Sequence, residues 1–284
     1  MKTSNPTQRG VALIAVLWLV AAMGLIITGV VQAVRSEART AGLHRHATVA
    51  NALADAAILL ALQDLHALQK QASNTTQNIS VSFESQTFEV TVEPLNGLID
   101  LNKATLPLLA ELYRHAGGLS PAAAQAQAQA TAELRQSKSA KGLTQGFEAV
   151  EDLLRVPAMT YELYAKINRL VTADLKDGSG RVNPLVAPVG VLQVLTGGDN
   201  ARSAVLAAGR NADPKLMDTS FLKPELIDMS SSSGLRLQVR VGMPDGGSSQ
   251  KAWRVYWGND PRSGLPWRLL GTEQAIQHSD QSDN

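Results

Sequence analysis

The side chains that could carry chemistry are few and scattered in this sequence. The five histidines are His44, His46, His66, His115 and His278. Only His44 and His46 are close together, and residues two apart on a helix point to different faces. The sequence also contains no cysteine, no G-x-S-x-G nucleophile segment and no P-loop. These absences predict a protein that is not an enzyme.

One glycine-rich turn offers oxygen atoms that could bind a metal ion. The segment DLKDGSG (174–180) contains Asp174 and Asp177, and Asn183 follows nearby. Calcium binds carboxylate and carbonyl oxygens in flexible turns, but it takes about six to eight ligands, and the sequence does not supply a full set here. The turn is a calcium candidate, a solvated turn is the competing interpretation, and no cofactor is required.

The charge balance argues against nucleic acid as a partner. The formal net charge is +1, which creates no strong field for an anionic polymer. The segment LNKATLPLLAELYRHAGG (101–118) resembles a helix-hairpin-helix, a motif that holds phosphate with backbone amides. The predicted hairpins carry few basic residues, and Glu162 and Asp199 would repel phosphate. Nucleic acid is therefore an unfavoured partner.

The longest apolar segment lies near the N-terminus. Residues 11–34 contain no charged side chain, and these 24 residues would span about 36 Å as a helix. The hydrocarbon core of a bilayer is about 30 Å thick. Secretory signals usually have a shorter apolar run, yet Val31-Gln32-Ala33 would be an acceptable cut site. We expect a transmembrane helix over 11–34, with a cleaved signal as the alternative.

Helical periodicity continues beyond this segment. Apolar residues recur at steps of mostly three and four, which predicts that the same helix has an amphipathic half over 35–72 and ends near Gln71. An amphipathic face must pack on something, and we expect helices of partner subunits there. The predicted partner stripe comprises Leu43, Ala47, Ala50, Ala54, Ala57 and Ala61, and it continues to Leu65 and Leu68.

Alternation with a period of two residues appears in two separate parts of the chain. It covers residues 79–95 and 234–272, and it predicts a small antiparallel sheet with one buried face. Residues 96–230 lack this alternation and repeat short apolar segments that stop at Gly-Gly. They predict an inserted α-helical domain with helix-hairpin-helix-like repeats. Residues 273–284 form a predicted polar tail.

These elements in this order resemble one known family. The segments that carry the resemblance are QRGVALIAVLW (8–18), GLIDLNKATLPLL (97–109), FEAVEDLLRVPAMTYELYAKI (147–167) and GRVNPLVAPVGVL (180–192). The chain resembles the K subunit of the type II secretion machinery, a minor pseudopilin. The resemblance implies an α+β, pilin-like fold, in which a long N-terminal helix packs on a small antiparallel sheet and a large all-α domain is inserted into the sheet.

The resemblance also implies how the protein is processed and where it acts. Prepilin peptidase would cut between Gly10 and Val11, remove the leader 1–10 and methylate Val11. The apolar helix would make the protein single-pass in the inner membrane, with a periplasmic globular domain, before it joins the pseudopilus. The implied partners are the I and J minor pseudopilins, the major pseudopilin, and the secreted substrate or the outer-membrane channel.

One position departs from the wider pilin pattern. Most pilin-like subunits have a glutamate five residues after the cut, where this chain has Ala15. A carboxylate in an apolar bundle is costly unless it is paired, and a subunit at the fibre tip has no neighbour above to pair with. The resemblance therefore makes Ala15 a marker of the tip position, although it could also be one more apolar residue of an anchor. A minor pilin-like or DNA-uptake protein of another pilus system remains the alternative.

Overall fold

One long helix opens the fold. The structure, a computed structural model, describes residues 7–67, 74–137, 146–175, 178–212, 217–244 and 246–277. Helix α1 spans Thr7–Ala67, 61 residues or about 90 Å, and confirms the predicted continuous helix. No proline lies between Pro6 and Pro94, so nothing removes a helix N–H along its length. The predicted helix end near Gln71 and the stripe residue Leu68 lie outside the described residues.

A five-stranded antiparallel sheet follows the helix. Its strands, numbered along the chain, are β1 (Gln77–Phe83), β2 (Gln86–Pro94), β5 (Gly234–Gly242), β6 (Ser248–Trp257) and β7 (Trp267–Gln277). Their order in the sheet is β1-β2-β5-β6-β7, and every neighbouring pair is antiparallel. The central pair, β2 and β5, joins the two sequence regions in which strands were predicted.

The turns and ends of the strands largely follow the sequence pattern. A two-residue turn joins β1 and β2, with Glu84 and Ser85 at positive φ as such hairpins require. The predicted polar tail is wrong at its start, because β7 continues through Glu273 to Gln277. Backbone pairing with β6 extends the strand there, and pairing of this kind needs no apolar side chains. Residues 278–284 lie outside the description.

The second half of α1 covers one face of the sheet, and together they form the helix–sheet unit. The buried apolar residues of α1 in this core are Ala50, Ala54, Ala57, Ile58, Ala61, Leu62 and Leu65. The strands contribute the alternate residues that face the helix, such as Leu237, Val239 and Val255. Small alanine side chains allow the helix to approach the sheet closely, and the alternation in the strands places one side chain in two against it.

The chain between β2 and β5, residues 95–233, forms the insert. Its elements are a 3-10 turn (Leu95–Gly97), β3 (Ile99–Asp100), α2 (Leu106–Glu111), a π-helical turn (Leu112–Ala116), α3 (Pro121–Gln136), a 3-10 turn (Val150–Arg155), α4 (Tyr161–Ile167), a 3-10 turn (Asn168–Leu170), β4 (Val171–Thr172), α5 (Val189–Leu195) and α6 (Asn200–Ala212). These elements enclose an apolar core of their own, which shares no residue with the core of the helix–sheet unit.

The insert is helical for the most part, but the prediction of an all-α domain needs a correction. Strands β3 and β4 pair in parallel within it, through Ile99 with Val171 and Asp100 with Thr172. Each strand has two residues, which is too short for alternation to appear in the sequence. The segment Val150–Arg155 of this predicted α-helical domain is likewise a 3-10 turn.

Candidate functional site

The first half of α1 exposes large apolar side chains. Leu13 is 75% exposed and Trp18 is 73% exposed. Further exposed apolar residues of this half are Ile14, Val16, Leu17, Leu19, Val20, Met23, Leu25, Val31 and Val34. Water-soluble surfaces rarely present an apolar surface of this extent, so this half of the helix needs an apolar environment.

Helix α1 is also long and apolar enough to cross a membrane. By length and composition the candidate span is Val34–Ala67, with a mean hydropathy of 1.3, and Leu13–Leu25 is a shorter apolar stretch. However, 39% of the most apolar window in Val34–Ala67 is buried inside the fold, and its residues from Ala50 onwards belong to the core. The exposed stretch Leu13–Leu25 would span about 20 Å as a helix, which is too short to cross a bilayer alone, but it lies inside the predicted span 11–34.

The predicted processing residues lie at the start of this helix. Gly10 and Val11 fall within the first turns of α1, and residues 1–6 of the predicted leader lie outside the described part of the chain. Ala15 is exposed on the same helix. Cleavage, methylation and the role of Ala15 depend on a peptidase and on neighbouring subunits, so these three assignments stay predictions.

The predicted partner stripe turns out to face inwards. Ala50, Ala54, Ala57 and Ala61 are buried against the chain's own sheet, and Ala47 is partly buried beside them. The sheet presents an apolar face on the same chain, so the helix packs there before it can meet a partner. The prediction that partner helices pack on this stripe is therefore wrong for its four buried alanines. Leu43 and Ala47 remain partly accessible.

Two polar residues of α1, which are not among the predicted site residues, hold this packing in register. The Asp55 carboxylate accepts hydrogen bonds from Lys251 Nζ at 2.6 Å and from Trp253 Nε1 at 3.0 Å. One turn earlier, the Asn51 side-chain oxygen accepts a bond from Ser249 Oγ at 2.9 Å. The i, i+4 spacing of Asn51 and Asp55 beside an apolar stripe was the available signal. Directional bonds of this kind fix how far the helix slides along β6.

A second apolar stripe on α1 faces away from the sheet. This outer stripe comprises Val49, Ala52, Ala56 and Leu59. Val49 is 52% exposed and Leu59 is 39% exposed, although the same helix segment is buried on its other side. The spacing of three, four and three residues puts all four on one face. Small residues flanked by larger ones are suited to close packing with a second helix.

The sequence could not decide which of the two stripes is covered. Both follow the same spacing of threes and fours, and both are rich in alanine. Only the position of the sheet distinguishes them, and the sheet is assembled from strands far apart in sequence. The outer stripe is the face that the structure leaves available to another helix.

The predicted calcium ligands are occupied by other contacts where they are described. Asp174 forms an ion pair with Arg254, and the buried Asn183 side chain donates a hydrogen bond to the Asn74 carbonyl at 2.7 Å and accepts one from Leu185 N at 3.0 Å. Asp177 lies outside the described residues. Within the described ranges, no group of three or more His, Asp or Glu could hold a metal ion. Calcium binding at this turn stays an untested prediction.

Four of the five described α-helices of the insert have N-termini capped by side-chain oxygen atoms of the chain itself, whereas α5 follows Pro188 without a side-chain cap. Thr105, Ser120 and Thr160 each accept a hydrogen bond from a backbone N–H of the helix that follows. At α6, Asp199 Oδ1 accepts bonds from the N–H groups of Ala201 and Arg202, both at 3.0 Å. A phosphate would have to displace these caps, and at α6 it would meet a carboxylate. The geometry therefore disfavours the nucleic-acid alternative.

The comparison with solved structures finds a shared fold. One chain of the crystal structure of the GspK-GspI-GspJ complex from the type 2 secretion system of enterotoxigenic Escherichia coli matches with a TM-score of 0.50 and 16% sequence identity. The match covers 84% of this chain and 99% of that chain. No protein-family model and no curated protein matches the sequence. At this identity the likeness shows a pseudopilin-like fold, with a long apolar N-terminal helix and an α+β globular part.

Proposed function

We propose that this protein is a minor pseudopilin of the type II secretion machinery. It has no catalytic role. It caps the tip of the periplasmic pseudopilus, in complex with the I and J minor pseudopilins and above the major pseudopilin. In this position it supports the export of proteins across the outer membrane, where its head meets the secreted substrate or the outer-membrane channel.

The observation that carries this proposal is the continuity of α1. One unbroken helix, Thr7–Ala67, has a first half whose described apolar side chains are exposed. Its second half has an apolar outer stripe, and its inner face packs on the sheet. The first half suits a bilayer, and the outer stripe suits the helix of another subunit. A freestanding periplasmic protein would need neither feature.

Helix α1 also determines how we propose that the protein is processed and where it is located. Prepilin peptidase cuts after Gly10 and methylates Val11, so that the anchor starts at Val11. The protein stays in the inner membrane through residues 11–34, with the helix–sheet unit and the insert in the periplasm. Ala15 leaves the tip subunit without the buried carboxylate that a shaft subunit must pair.

The test of this proposal is the mature N-terminus. The full-length protein is extracted from membranes of cells with and without prepilin peptidase, and its N-terminal peptide is measured by mass spectrometry. We expect a start at Val11 carrying one methyl group, and retention of residues 1–10 when the peptidase is absent. An unprocessed Met1, or a start near Val34 that does not depend on the peptidase, would contradict the proposal.

A further inference from the structure

The insert and the helix–sheet unit are two bodies that share a small apolar contact, in which Leu95 and Leu175 of the insert lie against Gly234 at the start of β5. Each has its own hydrophobic core, and the described residues of the two cores do not overlap. A cleft of about 1220 Å³ separates parts of the two bodies, lined by Glu148, Val150 and Asn168 from the insert and by Leu270 and Thr272 from β7. Bodies joined mainly by polar contacts tend to move relative to each other.

An asparagine junction lies where the chain passes between the two bodies, and the two hydrogen bonds of Asn74, which precedes β1, cross from one body to the other. Asn183 of the insert donates its backbone N–H to the Asn96 carbonyl at 2.8 Å and its side-chain amide to the Asn74 carbonyl at 2.7 Å. Asn96 donates to the Ser230 carbonyl at 2.9 Å, and Asn74 donates to the Met229 carbonyl at 2.9 Å. The segments that leave the sheet and return to it are thus held at one point.

A second attachment lies across the cleft and is ionic. Arg254 of β6 pairs with Asp174 of the insert and also with Glu273 of β7, with 3.3 Å between Arg254 Nε and the Glu273 carboxylate. Arg236 of β5 pairs with the same Glu273 at 2.9 Å and with Glu93 at 3.4 Å, but it has no ion-pair partner among the described residues of the insert. Among these pairs, Arg254–Asp174 is therefore the one that joins the two bodies.

We propose that the insert swings on the asparagine junction and that the Arg254–Asp174 pair is a latch that holds the cleft closed. The junction keeps both connecting segments in place while the insert rotates. Asp174 and Arg254 both line the cleft, on the sheet face opposite to α1, so release of the latch lets the cleft widen. The half-buried residues Arg254 and Leu270, which line the cleft from the sheet, then become more exposed.

The absence of cysteine in the chain makes a direct distance measurement simple. The exposed residues Glu148 and Thr272 line the cleft from opposite bodies, so the pair E148C/T272C can carry two nitroxide labels. Double electron–electron resonance on the full-length protein in detergent then reports the width of the cleft. The test variant is Arg254→Gln. The matched control is Arg240→Gln, because Arg240 lies on the neighbouring strand and contacts Gln250 within the sheet.

We expect one narrow distance distribution in the labelled parent and in Arg240→Gln. In Arg254→Gln we expect loss of that single distance and a shift to longer distances. The latch is disproved if Arg254→Gln matches the parent, or if both arginine variants shift alike. If Arg254→Gln loses its helical circular dichroism, it is replaced by Asp174→Asn, which breaks the same ion pair from the insert side. The distance distribution of Asp174→Asn then decides whether the pair holds the cleft closed.

Discussion

The helix–sheet unit and the insert each contain a carboxylate on the inner side of the fold, and the two carboxylates differ in the hydrogen bonds that they accept. In the helix–sheet unit, both Asp55 oxygens accept hydrogen bonds, one from Lys251 and one from Trp253. In the insert, Asp100 is 4% exposed, and one of its oxygens accepts a bond from Asn102 N at 2.9 Å. Its other oxygen has no hydrogen-bond partner among the described residues.

This contrast shows that shielding alone does not decide what a charged group does to stability. Burial raises the pKa of Asp100 to about 6, although the Asn102 backbone and the positive charges of Lys103 and Arg135 act against the rise. At Asp55, the Lys251 ammonium group and the Trp253 indole N–H replace the water molecules that the carboxylate loses on folding. The polar groups of the helix–sheet unit therefore strengthen its packing, while Asp100 weakens the insert whenever it is ionised.

The largest effect is expected from a charge on the inner face of α1. Ala54 is fully buried against the sheet, and no cationic partner is available in that apolar core. Ala54→Asp should lower the free energy of unfolding by about 3–5 kcal/mol, because a carboxylate is buried without compensation. Urea denaturation followed by tryptophan fluorescence measures this loss.

The outer stripe provides the matched control for that substitution. Ala52 lies two residues away on the same helix and is exposed. Ala52→Asp should cost less than about 1 kcal/mol, the difference in helix propensity between alanine and aspartate. Equal destabilisation by the two variants would mean that the inner and outer faces have been assigned wrongly.

Removal of Asp55 tests the paired carboxylate. Asp55→Ala should lower the free energy of unfolding by about 2–4 kcal/mol, because Lys251 and the Trp253 N–H would lose their partner. Asp55→Asn keeps an oxygen for Trp253 and should cost about half as much. The same denaturation assay measures both changes. An unchanged stability in Asp55→Ala would show that the pair does not hold α1 on the sheet.

Removal of the charge at Asp100 should have the opposite sign. Because its pKa is raised in the folded state, Asp100 binds a proton more readily folded than unfolded, and the wild type loses stability as the pH rises from about 4 through 6. Asp100→Asn should therefore be more stable by about 1–3 kcal/mol at pH 7.5, with no difference below pH 4. Denaturation curves at several pH values check this. A difference that is independent of pH would refute the explanation.

The smallest effect is expected at Ala15. In the proposed tip position, a carboxylate at residue 15 has no neighbour that it must pair with, and α1 exposes this position. Ala15→Glu should leave co-purification with the I and J subunits nearly unchanged. Membrane extraction and pull-down measure this, and a complete loss of membrane insertion would be inconsistent with a tip role.

The sequence predicted most of the fold because its patterns are local. The 3.6-residue period of α1 and the two-residue period of β5 and β6 depend on neighbours in the chain. Whether Ala54 or Ala56 faces the sheet depends instead on strands far away in sequence, which explains the misplaced partner stripe. The pairing of Asp174 with Arg254, 80 residues away, is likewise invisible to local patterns.

The most direct test of the central claim is assembly through the outer stripe. Ala52→Asp and the control Ala126→Asp, which places the same charge on an exposed face of α3, are co-expressed with the I and J minor pseudopilins. Both variants should stay folded and reach the membrane. We predict that Ala52→Asp reduces recovery of the complex at least about tenfold, because a charge buried in an interface costs more than 1.4 kcal/mol, and that Ala126→Asp does not. Full recovery with Ala52→Asp would contradict assembly through this face.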